Sequence, residues 1–503
     1  MTTDNDSFMP SMPQWLYQRA QLTPHRLAFE TEHEKLSFQQ LYVHVQKTAS
    51  ALRSAGVVSG AYIASLQGNT IRCAILTHAL MMAGAVMVPL NTRLSVDELT
   101  QQIQDSGSQM LITDESNEEK AIKVGEKTSC TVLHISALFT AKTPLIDFST
   151  EVQLNEPCTV IFTSGTTGRP KGVVLTYGNH WWNANASLLN LGLTQKDTWL
   201  CCVPLFHVSG LSILMKSVIY GMPVYLCEKF SPETVNHQIT KGGISHISVV
   251  APMLQRMMDA LGEGKTYPST LRCILLGGGP VPQHLLQRCL GLHMPIYQTY
   301  GMSETASQSV TLPPESMLEK AGSAGKPLFP MQIRIISDGH SAAVDEPGEI
   351  QVKGPTVFSH YLNNADATKQ AFEDQWFLTG DIGYLDDDGF LFVLDRRKDL
   401  IISGGENIYP AEVESILNGF EGVQRAGVIG IPDTQWGHVP IAFVSLRHAE
   451  QFSEHALIDY CRGHLAHYKV PKRIYVIDQL PENASHKLLR RKLFAYYKQM
   501  NNQ

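Results

Sequence analysis

Between Ile244 and Gly301 the chain alternates strand and helix patterns without a break. SHISVVAP reads as a buried strand, MLQRMMDAL as a helix, LRCILLGGG as a second strand, VPQHLLQRCLG as a second helix and MPIYQTYGM as a third strand. Strict succession of this kind folds as βαβ units with right-handed crossovers and a buried parallel sheet. Ligands in such sheets collect beyond the carboxyl ends of the strands. Three polar or glycine-rich loops stand at strand exits: Thr163 to Lys171, Gly277 to Gly279, and Gly301 to Thr305. One alone is an ordinary strand-to-helix turn; three together point to one nucleotide site.

The first of these loops carries the most chemistry. In TVIFTSGTTGRPKGVVLT, Thr159 to Thr176, an apolar strand runs into hydroxyls, glycines and a lysine before a second strand begins. Thr163, Ser164, Thr166 and Thr167 supply hydroxyl donors. Gly165, Gly168 and Gly172 permit the positive-φ geometry that turns successive N–H groups toward an anion, and Lys171 adds a point charge. The segment reads as a polyphosphate cradle; the alternative is a hairpin turn with no ligand. A P-loop needs Gly, four residues, then Gly-Lys-Ser/Thr opening a helix. Here Pro170 stands five places after Gly165 and Lys171 leads into a strand, which argues against a switch GTPase or motor ATPase.

At 503 residues the chain calls for at least two domains, one of them composite. A net charge of −7 offers no basic surface for nucleic acid or anionic lipid. The opening MTTDNDSFMP is polar and acidic, unlike a secretory signal, so a cytoplasmic location is expected. The apolar run Ala74 to Leu90 is broken by Thr77 and His78 and closed by Pro89, the pattern of a buried helix and strand rather than a membrane span. Nine cysteines show no C-x-x-C pair and no metal-ligand spacing, as expected of free thiols in a reducing compartment, with Cys201 and Cys202 facing the core.

The composition shifts over Asp381 to Lys398, where Asp386 to Gly389 suit a hairpin tip. Beyond Ser403 to Asn407, YPAEVESILNGF opens a helix: Pro410 sits in the first turn, Glu412 and Glu414 near the positive end, and Val413, Ile416, Leu417 and Phe420 on one face. Strands near Ala426–Gly430 and Pro440–Leu446, a helix near Glu454–Ala466 and a strand at Arg473–Ile477 complete an α+β module. The expected architecture is α/β: a large composite N-terminal domain with parallel βαβ sheets, residues 1–395, plus a small α+β C-terminal domain, residues 396–503. Residues Ala141 to Glu156 read as a linker within the larger part.

TSGTTGRPKG, the YGMSE strand exit, TGD at Thr379 to Asp381, DRRKD, SGGENIYP and the late lysine in NASHKLLR follow one another in a telling order. In that order and spacing the chain resembles the adenylate-forming acyl-CoA synthetases from about Gln14 to Leu493. PLFHVSGLS, KSVIYGM, ILLGGGPVP, GSAGKPLF and DRRKDLIISGGENIYPAEVES are most similar, within that superfamily, to the o-succinylbenzoate:CoA ligases of bacterial menaquinone synthesis.

The resemblance implies two half-reactions. A carboxylate first attacks the α-phosphate of ATP, giving an acyl-adenylate and pyrophosphate; coenzyme A as co-substrate then takes the acyl group and AMP leaves. Both reactants of the first half are anions, so positive charge and alignment matter more than a protein nucleophile. By resemblance Lys487 bridges carboxylate and α-phosphate, although its charge pattern, KLLRRKL, is also that of a solvated tail. His486 replaces the glycine usual before this lysine and narrows the backbone's freedom. Glu304 is the implied Mg2+ ligand, with a plain helix N-terminal glutamate as the alternative. Asp381 is the implied ribose ligand and Arg396 a second ribose or phosphate contact. Gly278, Gly279 and Tyr300 line the adenine slot, Tyr300 stacking on the base unless it is an ordinary core tyrosine, and Gly301 and Ser303 belong to the same nucleotide-binding exit.

For the second half, the family's small domain swings about a hinge, here Lys398, and replaces Lys487 by the loop Ser403 to Ile408, where Gly404 and Gly405 admit the pantetheine arm. His207 borders the reacting carboxylate, or is a core histidine; Ser209 and Thr299 offer hydroxyls to the acid. Lys216 is the only charge in the apolar run GLSILMKSVIYG, and is either the cation that a second carboxylate requires or a lysine snorkelling to the surface. The partners expected are a small-molecule acid (o-succinylbenzoate), ATP and coenzyme A, with no nucleic acid and no membrane span; a homo-oligomer stays open. The competing functions are another aryl- or fatty-acyl-CoA ligase, a stand-alone adenylating domain that loads a carrier protein, and a non-catalytic nucleotide-binding scaffold.

Overall fold

The computed structural model describes residues 11–163, 170–278, 281, 283–337, 339–395, 401–408, 410–446, 452–481, 488 and 490–501. The alternating segment folds as expected. Strands His246–Val249, Cys273–Leu276 and Ile296–Met302 lie side by side and parallel, with His246 opposite Cys273 and Ile274 opposite Ile296. Helix Ala251–Leu261 crosses between the first two and turns Leu254, Met257 and Met258 inward onto Ile247 and Ile274. These strands belong to a nine-stranded sheet that continues through Trp199–Cys201, Val224–Leu226 and Leu27–Glu30 on one side. On the other side it ends in the antiparallel Ser307–Leu312 and Lys326–Pro327.

The phosphate-loop segment lies elsewhere. Pro157–Thr163 and Lys171–Thr176 pair antiparallel, Lys171 opposite Thr163, inside a separate seven-stranded sheet with Val86–Pro89, Tyr62–Leu66 and Met110–Thr113. The three strand-exit loops therefore come from two sheets, not one. Antiparallel neighbours can be joined by a short connection and need no crossover helix.

A six-stranded antiparallel sheet follows, centred on Gly348–Lys353 and Trp376–Leu385, with Leu391–Asp395 added on the latter. Asp386 to Gly389 form its hairpin tip: the Asp386 N–H donates to Phe390 O at 3.0 Å. The last unit is a five-stranded sheet of Glu406–Ile408, Ile401–Ser403, Gly437–Leu446, Val423–Asp433 and the parallel Ile474–Val476, covered by helices Pro410–Asn418 and Glu454–His464. It has its own core, in which Val413 and Leu417 meet Val428, Ala442, Val444 and Leu457, with Ile416 and Phe420 packed at the edge.

One expectation changes in detail. Ala141 to Glu156 is not wholly a linker, because Glu151–Gln153 pairs with Ser11–Pro13. The run Ala74 to Leu90 resolves into helix Ile71–Met82 and strand Val86–Pro89, both buried. All nine cysteines are buried free thiols. Among the described residues, no helix is long and apolar enough to cross a membrane.

Candidate active site

A cavity of about 1070 Å³ opens where the strand exits of both N-terminal sheets face the loop between Ile401–Ser403 and Glu406–Ile408. Thirteen residues singled out from the sequence line it: Thr163, Lys171, His207, Ser209, Lys216, Gly278, Thr299, Gly301, Ser303, Glu304, Asp381, Gly404 and Gly405. Ser164, Gly165, Thr166, Thr167, Gly279, Arg396, Lys398 and Lys487 lie outside the described residues.

The nucleotide side is assembled around the exit of Ile296–Met302. A Cβ at Gly301 would sit 1.8 Å from Ser307 O, so only glycine lets the two strands close here. The turn Ser303–Thr305 then presents Glu304 to the cavity, with the Tyr361 hydroxyl donating to its Oε1 at 3.0 Å. The Lys171 ammonium stands 4.8 Å from the centre of the same Tyr361 ring. Tyr361 thus touches both a cation and a carboxylate of the type a hard cation prefers. This donor set fits Mg2+, which Glu304 would hold. Nothing in HYLNNAD, which carries no motif, singles out Tyr361.

Tyr300 is placed differently from expectation. It is 6 % exposed and does not line the cavity; its hydroxyl donates to Asp381 Oδ2 at 2.8 Å. The Thr379 hydroxyl oxygen accepts from the Asp381 N–H at 3.1 Å. Tyr300 therefore fixes the carboxylate that faces the cavity.

The loop from the C-terminal unit is a two-residue hairpin turn, Ser403 opposite Glu406, with Gly404 at φ +56° and Gly405 at φ +86°. A turn with two positive φ values in succession demands glycine or asparagine, which explains the Gly-Gly pair before any ligand is considered. The turn carries Glu406 into the cavity, 4 % exposed. Its Oε1 accepts from Arg93 Nη1, and its Oε2 accepts from His207 Nε2 at 3.1 Å. Burial pushes the Glu406 carboxyl up, but His207, Arg93 and Lys469 outweigh it and hold the group below its ordinary value. Neither Glu406 nor Arg93 was singled out from the sequence. The one available signal was that Glu406 is the only acid in SGGENIYP.

A second cluster joins the same two units. Lys469 Nζ donates to Glu98 Oε1 and Glu412 Oε1, both at 2.7 Å, and the Ser95 hydroxyl donates to His464 O at 2.8 Å. Burial pulls the Lys469 ammonium down, and Glu412, Tyr468 and Glu98 more than reverse it.

The remaining arm of the cavity holds Lys216, which does not snorkel. It is 2 % exposed within helix Val208–Tyr220, its Nζ 5.2 Å from the Trp199 ring centre and 3.4 Å from Gln308 Oε1. Burial lowers it from 10.5 to about 7. Ser209 lines the cavity in the first turn of the same helix. The Thr299 hydroxyl donates to Val310 O at 2.8 Å, so its proton is already committed to the backbone.

The model of the AMP-binding enzyme family matches residues 16–362, and that of the AMP-binding enzyme C-terminal domain matches residues 412–487. The chain belongs to the AMP-binding enzymes. It is 52 % identical over 487 residues to the 2-succinylbenzoate–CoA ligase of Geobacillus kaustophilus, covering 96 % of this chain and 98 % of the relative. A double mutant of o-succinylbenzoate CoA synthetase from Bacillus subtilis, solved with a product analogue, superposes with a TM-score of 0.93 at 46 % identity, over 96 % of this chain and 98 % of that one. The same synthetase with its acyl-adenylate intermediate superposes at 0.76 with equal identity and coverage. This AMP-binding enzyme therefore shares the overall arrangement of the product-analogue complex more closely than that of the adenylate complex.

Proposed function

We propose that this chain is a 2-succinylbenzoate–CoA ligase of menaquinone synthesis, acting in the cytoplasm with ATP, magnesium and coenzyme A. The observation that carries the proposal is 52 % identity to such a ligase along nearly the whole of both chains. The cavity is consistent with it: phosphate-side, ribose-side and acid-side groups share one space.

In the first half-reaction Lys171 and the Thr163 loop hold the triphosphate, and Asp381, braced by Tyr300, holds the ribose. Glu304 would hold magnesium, which when bound would supply charge neutralisation of the phosphates. Lys487 brings the acid's carboxylate to the α-phosphate. Residues 396–503 then turn about Lys398 relative to residues 1–395, and the Gly404–Gly405 turn enters in place of Lys487. Glu406 draws the His207 ring toward itself in that arrangement, and the thiol of coenzyme A reaches the acyl carbonyl alongside the two glycines. Lys216 faces the second carboxylate of the acid.

Pyrophosphate release and thioester formation across a panel of aromatic and fatty acids test this reading. High turnover with 2-succinylbenzoate alone is expected; equal turnover of simple aryl or fatty acids would overturn the substrate assignment. Acyl transfer to a carrier-protein thiol without coenzyme A would favour the carrier-loading alternative.

A further inference from the structure

Residues 358–362 are tied to both N-terminal sheets where these meet the cavity, and the steps above give them no part. The strand His360–Tyr361 pairs antiparallel with Lys171–Thr176, Tyr361 opposite Val173, so it lies against the strand that begins at Lys171. The Leu362 N–H donates to Gly172 O at 2.7 Å and the Ser359 N–H to Val174 O at 3.2 Å. A Cβ at Gly172 would come 3.1 Å from Leu362 Cβ, so glycine lets the segment lie this close. At its other end the Phe358 N–H donates to Glu304 O at 2.8 Å, in the turn that follows Ile296–Met302. Lys171 stands on one sheet and Glu304 at the exit of the other, and this segment bridges them.

Tyr361 repeats the bridge with its side chain. Buried at 5 % exposure yet lining the cavity, it donates its hydroxyl to Glu304 Oε1 at 3.0 Å, and its ring centre lies 4.8 Å from Lys171 Nζ. The ring is braced in turn. Phe358 packs on it at 4.7 Å and is itself packed on Phe372 and Phe377, while the Tyr361 N–H donates to the Thr368 hydroxyl oxygen at 3.0 Å. A ring fixed on these sides fixes what it touches. A carboxylate offers about four lone-pair sites, so one O–H on Oε1 orients the group and leaves other sites for a cation. Donors of this kind, placed behind a metal-binding carboxylate, set its orientation and its affinity.

We propose that Tyr361 is a positioning residue for the first half-reaction: its hydroxyl orients the Glu304 carboxylate for Mg2+, and its ring holds the Lys171 ammonium at a set distance from that carboxylate. The inference rests on the ATP and magnesium chemistry of the ligase reading above and is independent of which acid is activated. Hydroxyl and ring act on different partners, so substitution separates them. Phenylalanine keeps the ring beside Lys171 and the packing on Phe358 but removes the donor to Glu304; leucine removes both.

The test is calorimetric titration of the full chain with ATP in the absence of any acid, once with Mg2+ and once with EDTA. It compares wild type, Tyr361→Phe, Tyr361→Leu, Glu304→Gln and the Tyr361→Phe, Glu304→Gln double variant. Tyr361→Phe is expected to raise Kd for ATP with Mg2+ about tenfold and to leave Kd in EDTA within about twofold of wild type. Tyr361→Leu is expected to raise Kd under both conditions, because Lys171 loses the ring as well. Adding Tyr361→Phe to Glu304→Gln should change Kd with Mg2+ by less than about twofold, since the hydroxyl acts through the carboxylate. An unchanged Kd with Mg2+ in Tyr361→Phe, an equal rise with and without Mg2+, or an undiminished effect in the Glu304→Gln background would overturn the inference, while ATP binding by the wild type kept the ligase reading intact. Tyr361→Leu no weaker than Tyr361→Phe in EDTA would overturn the part given to the ring. A wild type that bound no ATP would overturn both readings.

Discussion

Replacing Lys216 by methionine removes a charge that the fold holds at a disadvantage. A lysine that titrates at about 7 in the folded chain and near 10.5 in the unfolded one disfavours folding at pH 7 by about 4 kcal/mol. Methionine fills a similar volume, and losing the Trp199 and Gln308 contacts offsets about 1–2 kcal/mol of the gain. Lys216→Met is therefore expected to stabilise the N-terminal part by about 2–3 kcal/mol at pH 7. The same change should raise KM for 2-succinylbenzoate at least tenfold. The pH dependence has a definite sign. Between pH 7 and 10.5 the unfolded chain binds the extra proton, so the lysine's penalty shrinks as pH rises; below 7 both states are protonated and the penalty is constant. The gap between variant and wild type should narrow by about 2 kcal/mol by pH 9. The nine buried thiols act in the opposite sense at alkaline pH but are common to both proteins, so the difference isolates Lys216. Urea unfolding at pH 7 and pH 9 measures it. A variant less stable than wild type at pH 7, or a gap that does not narrow, would refute the reasoning.

Glu406→Gln removes the charge that Arg93 and His207 share; thioester formation from pre-made acyl-adenylate should slow at least tenfold, with pyrophosphate release unchanged in rapid-quench assays. Glu98→Gln keeps the helix cap at Ser95 but takes the charge from Lys469, and should slow the same half-reaction about threefold to tenfold, with the first half unaltered. Tyr300→Phe should raise KM for ATP about fivefold to thirtyfold, because Asp381 loses a buried donor, while KM for the acid stays constant. Steady-state kinetics with each substrate varied in turn check this last outcome.

What could be read from the sequence was what repeats locally. The alternation from Ile244 to Gly301 gave three parallel strands because strand and helix periodicities are properties of neighbours along the chain. The helix at Pro410–Asn418 was legible from its proline and its apolar face for the same reason. Pairings between distant residues were not. Glu406 acquires its meaning from Arg93 and His207, 313 and 199 positions away. Tyr300 reads as a stacking ring in YGMSE until Asp381 is seen against its hydroxyl. Lys216 was ambiguous because helical periodicity says that a side chain sits among apolar neighbours, not whether they cover its end.

Val250 lies between Gly278 and the Gly404–Gly405 turn. A Cβ at Gly278 would come 3.0 Å from Val250 Cγ1, and one at Gly405 would come 3.1 Å from Val250 Cγ2. One isopropyl group is thus the spacer that sets how deeply the turn seats. Trimming it would let the turn sink, and adding a methylene would hold it off, so the width of a single aliphatic side chain gauges the fit between the two halves of the enzyme.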